Sequence, residues 1–320
     1  MSSKKVFTKE ELETLSSEEI INKIQHENYS LLKSLGGEKL RKEMVPVGKA
    51  CHAIINHFYN VGPVKSEAER EKKAKRKIVK TLSRISPATY STEEIKKHSK
   101  NGLVLGFNHP SLGEVLRILT MKVDALPDKP VLFPVNLPWY ESIARDYDRL
   151  IGLGIIITPT ITPSTWKKLE IKEGHELFEI ASKIKHDFRD IYTNLSHDNV
   201  KHGGVIAVAP SATRQATVFK TKKVYDKKED IIPTMSVLAI KLYKDPKMSC
   251  DFLPIAVKPP EKFKRGLNLF KKYELIPGEI MTAEEIKKTY FKGKDPKRLE
   301  GFDYEFHKRI ADKLPKSLWY

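Results

Sequence analysis

The sequence predicts an α/β protein: a mixed central sheet flanked by helices, preceded by a small N-terminal helical bundle. Three observations lead there. The first 85 residues or so carry helix start and stop signals and no strand pattern. The remainder alternates short apolar runs with longer helical stretches, as strands connected through helices do. The chain has 320 residues, 40% of them hydrophobic and 31% charged. That is enough apolar material for a sizeable core, and it excludes a disordered or low-complexity polypeptide. The expected domains are a helical one over 1–85 and an α/β one over 86–320.

The helical part begins with two capping boxes, Thr8-x-x-Glu11 and Ser16-x-x-Glu19. In each, hydroxyl and carboxylate can satisfy one another's backbone N–H groups. Leu31, Leu32 and Leu35 precede Gly36-Gly37, a helix stop. A further helix is expected over Val47 to Tyr59, ending near Gly62-Pro63. Residues 65–84 read as a basic helix, with Pro87 after it. Beyond it, Ser91-x-x-Glu94 opens a short helix that stops by Asn101-Gly102. LVLGF (103–107) is then a buried strand, and Val115 to Met121 a helix. Val131 to Val135 and Gly154 to Thr158 are strands, and a long helical stretch fills about 165–200. Gly203-Gly204 ends that stretch before VIAVA (205–209), and Phe252 to Val257 is one more strand. Apolar runs of this length, bounded by turn residues, suit a sheet covered on both faces.

Charge narrows the partners. The net charge is +17, and it is clustered. Residues 65–80 hold eight basic and three acidic side chains, whereas residues 1–64 are nearly neutral. Such surfaces suit nucleic acid, an anionic membrane surface or acidic substrates. No zinc finger, RRM-type aromatic signature or basic region with heptads is present, so nucleic acid is not the expected partner. Cys51 and Cys250 are the two cysteines, and neither has metal-type spacing. A reducing compartment, cytoplasm or organelle stroma, is expected. No apolar run reaches the roughly 18 to 20 residues of a membrane span. The N-terminus lacks the apolar core of a secretory signal. A water-soluble or peripherally membrane-bound protein is expected.

Two strand-to-helix corners concentrate the chemistry. The first is Asn108-His109-Pro110-Ser111-Leu112-Gly113-Glu114, where LVLGF gives way to a helix. Ligands of open α/β sheets bind at such carboxyl ends. A carboxylate accepting from one imidazole nitrogen raises the basicity of the other, so His109 with Glu114 could act as a general base. Ser111-x-x-Glu114 is equally a capping box, in which Glu114 only caps the helix. The second corner is Ala209-Pro210-Ser211-Ala212-Thr213-Arg214. A guanidinium beside small polar residues suits a phosphate. Lys220, Lys222 and Lys223 extend the positive field. Ser211 has no G-x-S-x-G context, so a serine-hydrolase elbow is not expected.

Taken together, the corners resemble the glycerol-3-phosphate and lysophosphatidate acyltransferase family. Residues 108–114 are similar to its N-H-x-S-x-x-D motif, and 204–214 to its F-P-E-G-T-R block. Arg149 to Ile157 is similar to the glycine-plus-apolar second motif, and 252–257 to a later apolar-Pro-apolar strand. The Ala-Pro-Ser run and the helical N-terminal part resemble the soluble plastid-type glycerol-3-phosphate acyltransferases. Glu114 stands where most members have Asp, the second motif lacks its arginine, and Ala216 replaces a second arginine. The resemblance implies acyl transfer from an acyl carrier protein or CoA thioester to a glycerol-3-phosphate hydroxyl. It makes His109 the base and Glu114 its partner, with Arg214, Ser211 and Thr213 at the acceptor. Lys167, Lys168 or Lys220 would assist, and no metal or other cofactor is implied. Peripheral contact with anionic membrane would serve product release. Transfer to lysophosphatidate or a glycolipid, and a non-catalytic lipid- or carrier-binding module, are the alternatives.

Overall fold

A computed structural model describes residues 4–99, 101–108, 114–169, 171, 174–210, 234–259, 272–291, 299 and 301–316. Up to residue 85 the elements are β1 (Lys5–Val6), α1 (Lys9–Thr14), α2 (Ser17–His26), β2 (Tyr29–Ser30), α3 (Leu31–Ser34), α4 (Glu38–Tyr59) and α5 (Glu67–Ile85). Then follow β3 (Ala88–Thr89), α6 (Thr92–Lys97), β4 (Leu103–Phe107), α7 (Glu114–Ala125), β5 (Val131–Asn136) and α8 (Leu137–Ile143). A single 3-10 turn at Ala144–Asp146 leads to α9 (Tyr147–Gly152), β6 (Ile155–Thr160), α10 (Pro163–Leu169), α11 (Phe178–Lys201) and β7 (Val205–Val208). The described C-terminal elements are α12 (Thr234–Leu242), β8 (Asp251–Lys258), β9 (Tyr273–Pro277), α13 (Ala283–Tyr290) and α14 (Phe302–Ala311).

The expected class holds: seven strands form a mixed sheet in the order β3-β9-β8-β4-β7-β5-β6, with helices between them. Both N-terminal capping boxes form. Four details differ from the sequence reading. Residues 5–6 and 29–30 make a two-residue parallel pair in a part expected to lack strands, too short to leave a periodic pattern. Helix α4 begins at Glu38, well before Val47, because Pro46 costs one backbone bond without ending the helix. The stretch over 165–200 is two helices, α10 and α11, with Gly174 at φ +86 between them. Strand β9 was not foreseen.

The chain forms two compact units, each drawing on both sides of residue 85. One comprises 1–74 with 133–194, the other 75–132 with 195–320. In the first, Glu141 of α8 is buried and accepts from Ser30 Oγ at 2.6 Å and Leu32 N at 2.7 Å. This bond pair ties the chain at β2 and α3 to α8, since a buried carboxylate must find donors.

The second unit holds β3, β9, β8, β4 and β7. Strand β4 runs parallel to β7 on one side and to β8 on the other. Strand β9 returns antiparallel to β8. Every residue of β4 and β7 is buried, as expected where both sheet faces are covered. Gly106 lets α14 approach closely, because a Cβ there would run into the Phe306 ring. Phe252 packs edge-on against Phe302 and Phe306 at 5.7 and 6.4 Å. The buried Asp303 carboxylate accepts from Met235 N and Ser236 N at 2.8 and 3.1 Å, capping α12.

Candidate active site

The site is best built outward from Asn108, the first residue after β4. It is buried, and its amide makes two bonds to one residue of β8. Asn108 Nδ2 donates to Val257 O at 3.0 Å, and Val257 N donates to Asn108 Oδ1 at 2.6 Å. The side chain thus mimics one more rung of the β4–β8 ladder. It fixes where β4 ends and where the following corner starts.

On the other side of β4, Gly106 pairs with Val208, two residues before Pro210. The chain therefore enters residues 109–113 and residues 211–214 from the same end of neighbouring parallel strands. That is the carboxyl end, where open α/β sheets bind ligands.

Helix α7 starts at Glu114. Three residues on, Arg117 is fully buried, its Cζ 3.7 Å from the centre of the Tyr273 ring. Tyr273 opens β9 at 1% exposure, and its N–H donates to Pro87 O at 3.0 Å. Because Lys258 pairs with Glu274, Tyr273 lies at the carboxyl end of β8. Asn108, Val257, Tyr273 and Arg117 therefore line one rim. Arg117 and Tyr273 were missed in the sequence. The available signal was a lone arginine inside the apolar run VLRILTM.

The sequence-predicted residues divide into three groups. His109, Ser111, Ser211, Thr213, Arg214 and Lys220 lie outside the described residues. Glu114 is placed as the first residue of α7, and its side chain is not described. Lys167 and Lys168 are exposed on α10, which belongs to the other compact unit.

That other unit holds a rival constellation. His52 Nδ1 lies 2.8 and 2.9 Å from the two oxygens of buried Asp146, which also accepts from Arg149 Nη1 at 2.8 Å. The pairing looks like a base with its orienting acid. Asn56 Nδ2 donates to His52 Nε2 at 2.8 Å, however, so the nitrogen a base would use is already taken. Burial, and then the Asp146 charge, push the adjacent Cys51 thiol up, away from the reactive thiolate. This network holds α4 to the turn before α9. Among the described residues no group of three or more His, Cys, Asp or Glu side chains is placed to hold a metal ion. No described helix is long and apolar enough to cross a membrane.

No protein-family model matches the sequence, and no curated protein matches it. Among solved structures, the chain is similar to the crystal structure of the 1-acyl-sn-glycerophosphate (LPA) acyltransferase PlsC from Thermotoga maritima. The identity is 13% and the TM-score 0.40, over 86% of this chain and 94% of that one. A likeness at that level carries no argument about function. What the described residues do place is the shared carboxyl end of β7, β4 and β8, where Asn108 and Pro210 leave the sheet.

Proposed function

We propose that the protein is an acyltransferase. It would move a fatty acyl group from an acyl carrier protein or CoA thioester to a free hydroxyl of a glycerol phosphate ester. One observation carries this reading: β4 lies between β7 and β8, both parallel to it. The N-H-x-S-x-x-E segment and the A-P-S-A-T-R segment thus leave the sheet at adjacent strand ends.

In this reading His109, oriented by Glu114, removes the acceptor hydroxyl proton as the oxygen attacks the thioester carbonyl. Backbone N–H groups at the start of α7 hold the oxyanion, at the positive end of the helix dipole. The tetrahedral intermediate then expels the thiolate, which takes up the proton from His109. No acyl-enzyme is needed when both substrates are held together. Arg214 binds the acceptor phosphate, with Ser211 and Thr213 beside it, and Lys220 adds positive charge.

Glycerol-3-phosphate and lysophosphatidate share the phosphate and the free hydroxyl, so the acceptor is settled by assay. Thiol release is followed with each acceptor and with none. Acceptor-dependent release supports the reading. Release without an acceptor requirement would mean a thioesterase instead, and binding without turnover a carrier module. Glu114→Gln lowers kcat by about 10²-fold if the carboxylate serves the base; a change in thermal stability alone would leave it as a cap. Arg214→Ala raises the acceptor KM about tenfold or more, as expected on losing a charged phosphate contact. An unchanged KM would remove Arg214 from the phosphate site.

A further inference from the structure

Helix α5 turns Ala74, Ile78 and Leu82 inward and leaves Lys72, Arg76, Lys80 and Arg84 exposed. These four recur every fourth residue, so they form a row along one helix face, about 6 Å apart and about 18 Å long in all. Like charges at this spacing oppose helix formation. Nearby carboxylates of α5 are spent elsewhere: Glu67 pairs with Arg70 at 3.5 Å and Glu69 with Lys73 at 2.8 Å. Among the described residues none of the four cations has an ion-pair partner. The helix dipole favours Arg84 in the last turn, but its effect does not reach back to Lys72 or Arg76.

The row ends at the candidate site. Just beyond α5, Pro87 O accepts from Tyr273 N at 3.0 Å, and Ala88 pairs with Tyr273. Tyr273 lies at the carboxyl end of β8, so the chain leaves α5 at the rim where Asn108 is bonded to Val257. Arg76, Lys80 and Arg84 belong to the same compact unit as that rim. Three anionic partners differ in what they need from such a row. A bilayer gains from apolar side chains beside the cations, and the exposed large hydrophobic residues Val6, Ile54, Val115, Ile151, Val237 and Tyr304 all lie off α5. CoA carries its phosphates in one cluster, which a neighbouring pair of cations can serve. An acidic helix repeats its carboxylates turn by turn and matches the row step for step. We infer that α5 is the docking face for the acidic helix of an acyl carrier protein, with Arg76, Lys80 and Arg84 bringing the thioester to the rim. The inference takes its partner from the acyltransferase reading and narrows the donor to the carrier protein.

The test uses the full chain and a bacterial holo-acyl carrier protein. Fluorescence anisotropy reads binding, and far-UV circular dichroism with thermal melts reads folding. The wild-type Kd rises about tenfold or more between 50 and 300 mM salt. The triple variant Arg76→Glu/Lys80→Glu/Arg84→Glu raises Kd at the lower salt by about 30-fold or more, whereas Arg76→Lys/Arg84→Lys changes it by less than about threefold. In thiol-release assays the triple variant raises the KM for the carrier thioester about tenfold or more relative to the KM for acyl-CoA. An unchanged Kd in the folded triple variant would overturn the inference. An equal rise in both KM values would also overturn it, and would give the row to the phosphates of CoA. Loss of binding to phosphatidylglycerol vesicles or duplex DNA, with carrier affinity unchanged, would overturn it in favour of those partners. If the charge reversal does not fold, Arg76→Gln/Lys80→Gln/Arg84→Gln decides the question, with Kd expected to rise about tenfold or more. Carrier binding through the row without any thiol release would sink the proposed function and leave the docking face standing. Acceptor-dependent release from acyl-CoA, with no carrier binding at the lower salt, would do the reverse.

Discussion

Two buried polar residues behave oppositely. Asn108 is fully used: both ends of its amide meet the backbone of Val257. Asn108→Ala would strand a buried N–H and a buried C=O, a loss of about 2 to 4 kcal/mol. Urea unfolding measures it, and a loss under about 0.5 kcal/mol would mean water replaces the amide. Lys122, five residues beyond Arg117 on α7, is fully buried, and its ammonium has no hydrogen-bond partner among the described residues. Burial, and secondarily Lys75, pull its pKa down to about 7, against the opposing pull of Asp128. Between that value and the ordinary lysine range, the unfolded chain binds a proton that the folded chain does not. Stability from this site therefore rises with pH across that window and is lowest below it. Lys122→Met should stabilise the fold at and below pH 7 by on the order of several kcal/mol, with the gain shrinking towards pH 10. A gain independent of pH, in paired unfolding curves at pH 7 and 9.5, would contradict this.

At the scale of elements, legibility followed signal length. The capping boxes at Thr8 and Ser16 were readable because hydroxyl and carboxylate identify a helix start by themselves. Removing one, by Ser16→Ala, should cost about 1 kcal/mol in a thermal melt, and no loss would mean α2 is held by packing alone. Strands β4, β7 and β8 were readable because a buried parallel strand is a short apolar block. Strand β9, YELIP, was not: it is short, and Glu274 is exposed within it. Missing β9 also hid Tyr273, whose ring centre lies 3.7 Å from Arg117 Cζ. The two corners were legible as motifs, and the parallel β8-β4-β7 order puts their entry points side by side. The pairing of Arg117 with Tyr273 spans more than 150 residues of chain, and no local pattern encodes it.

At the scale of the molecule, the net charge of +17 bears on the donor. Helix α5 buries Ala74, Ile78 and Leu82 and exposes Lys72, Lys73, Arg76, Lys80 and Arg84. Acyl carrier proteins and CoA are anionic, so the donor KM should rise about threefold or more between 50 and 300 mM salt, with kcat steady. A flat KM would mean these charges do not meet the donor. The central claim is acyl transfer with His109 as base. Its most direct test is thiol release from a long-chain acyl thioester, with and without glycerol-3-phosphate or lysophosphatidate, by wild type and His109→Ala. The account predicts acceptor-dependent release by the wild type and none above background by a folded His109→Ala protein. Full turnover by that variant, or no acceptor-dependent release with any donor and acceptor pair, would contradict it.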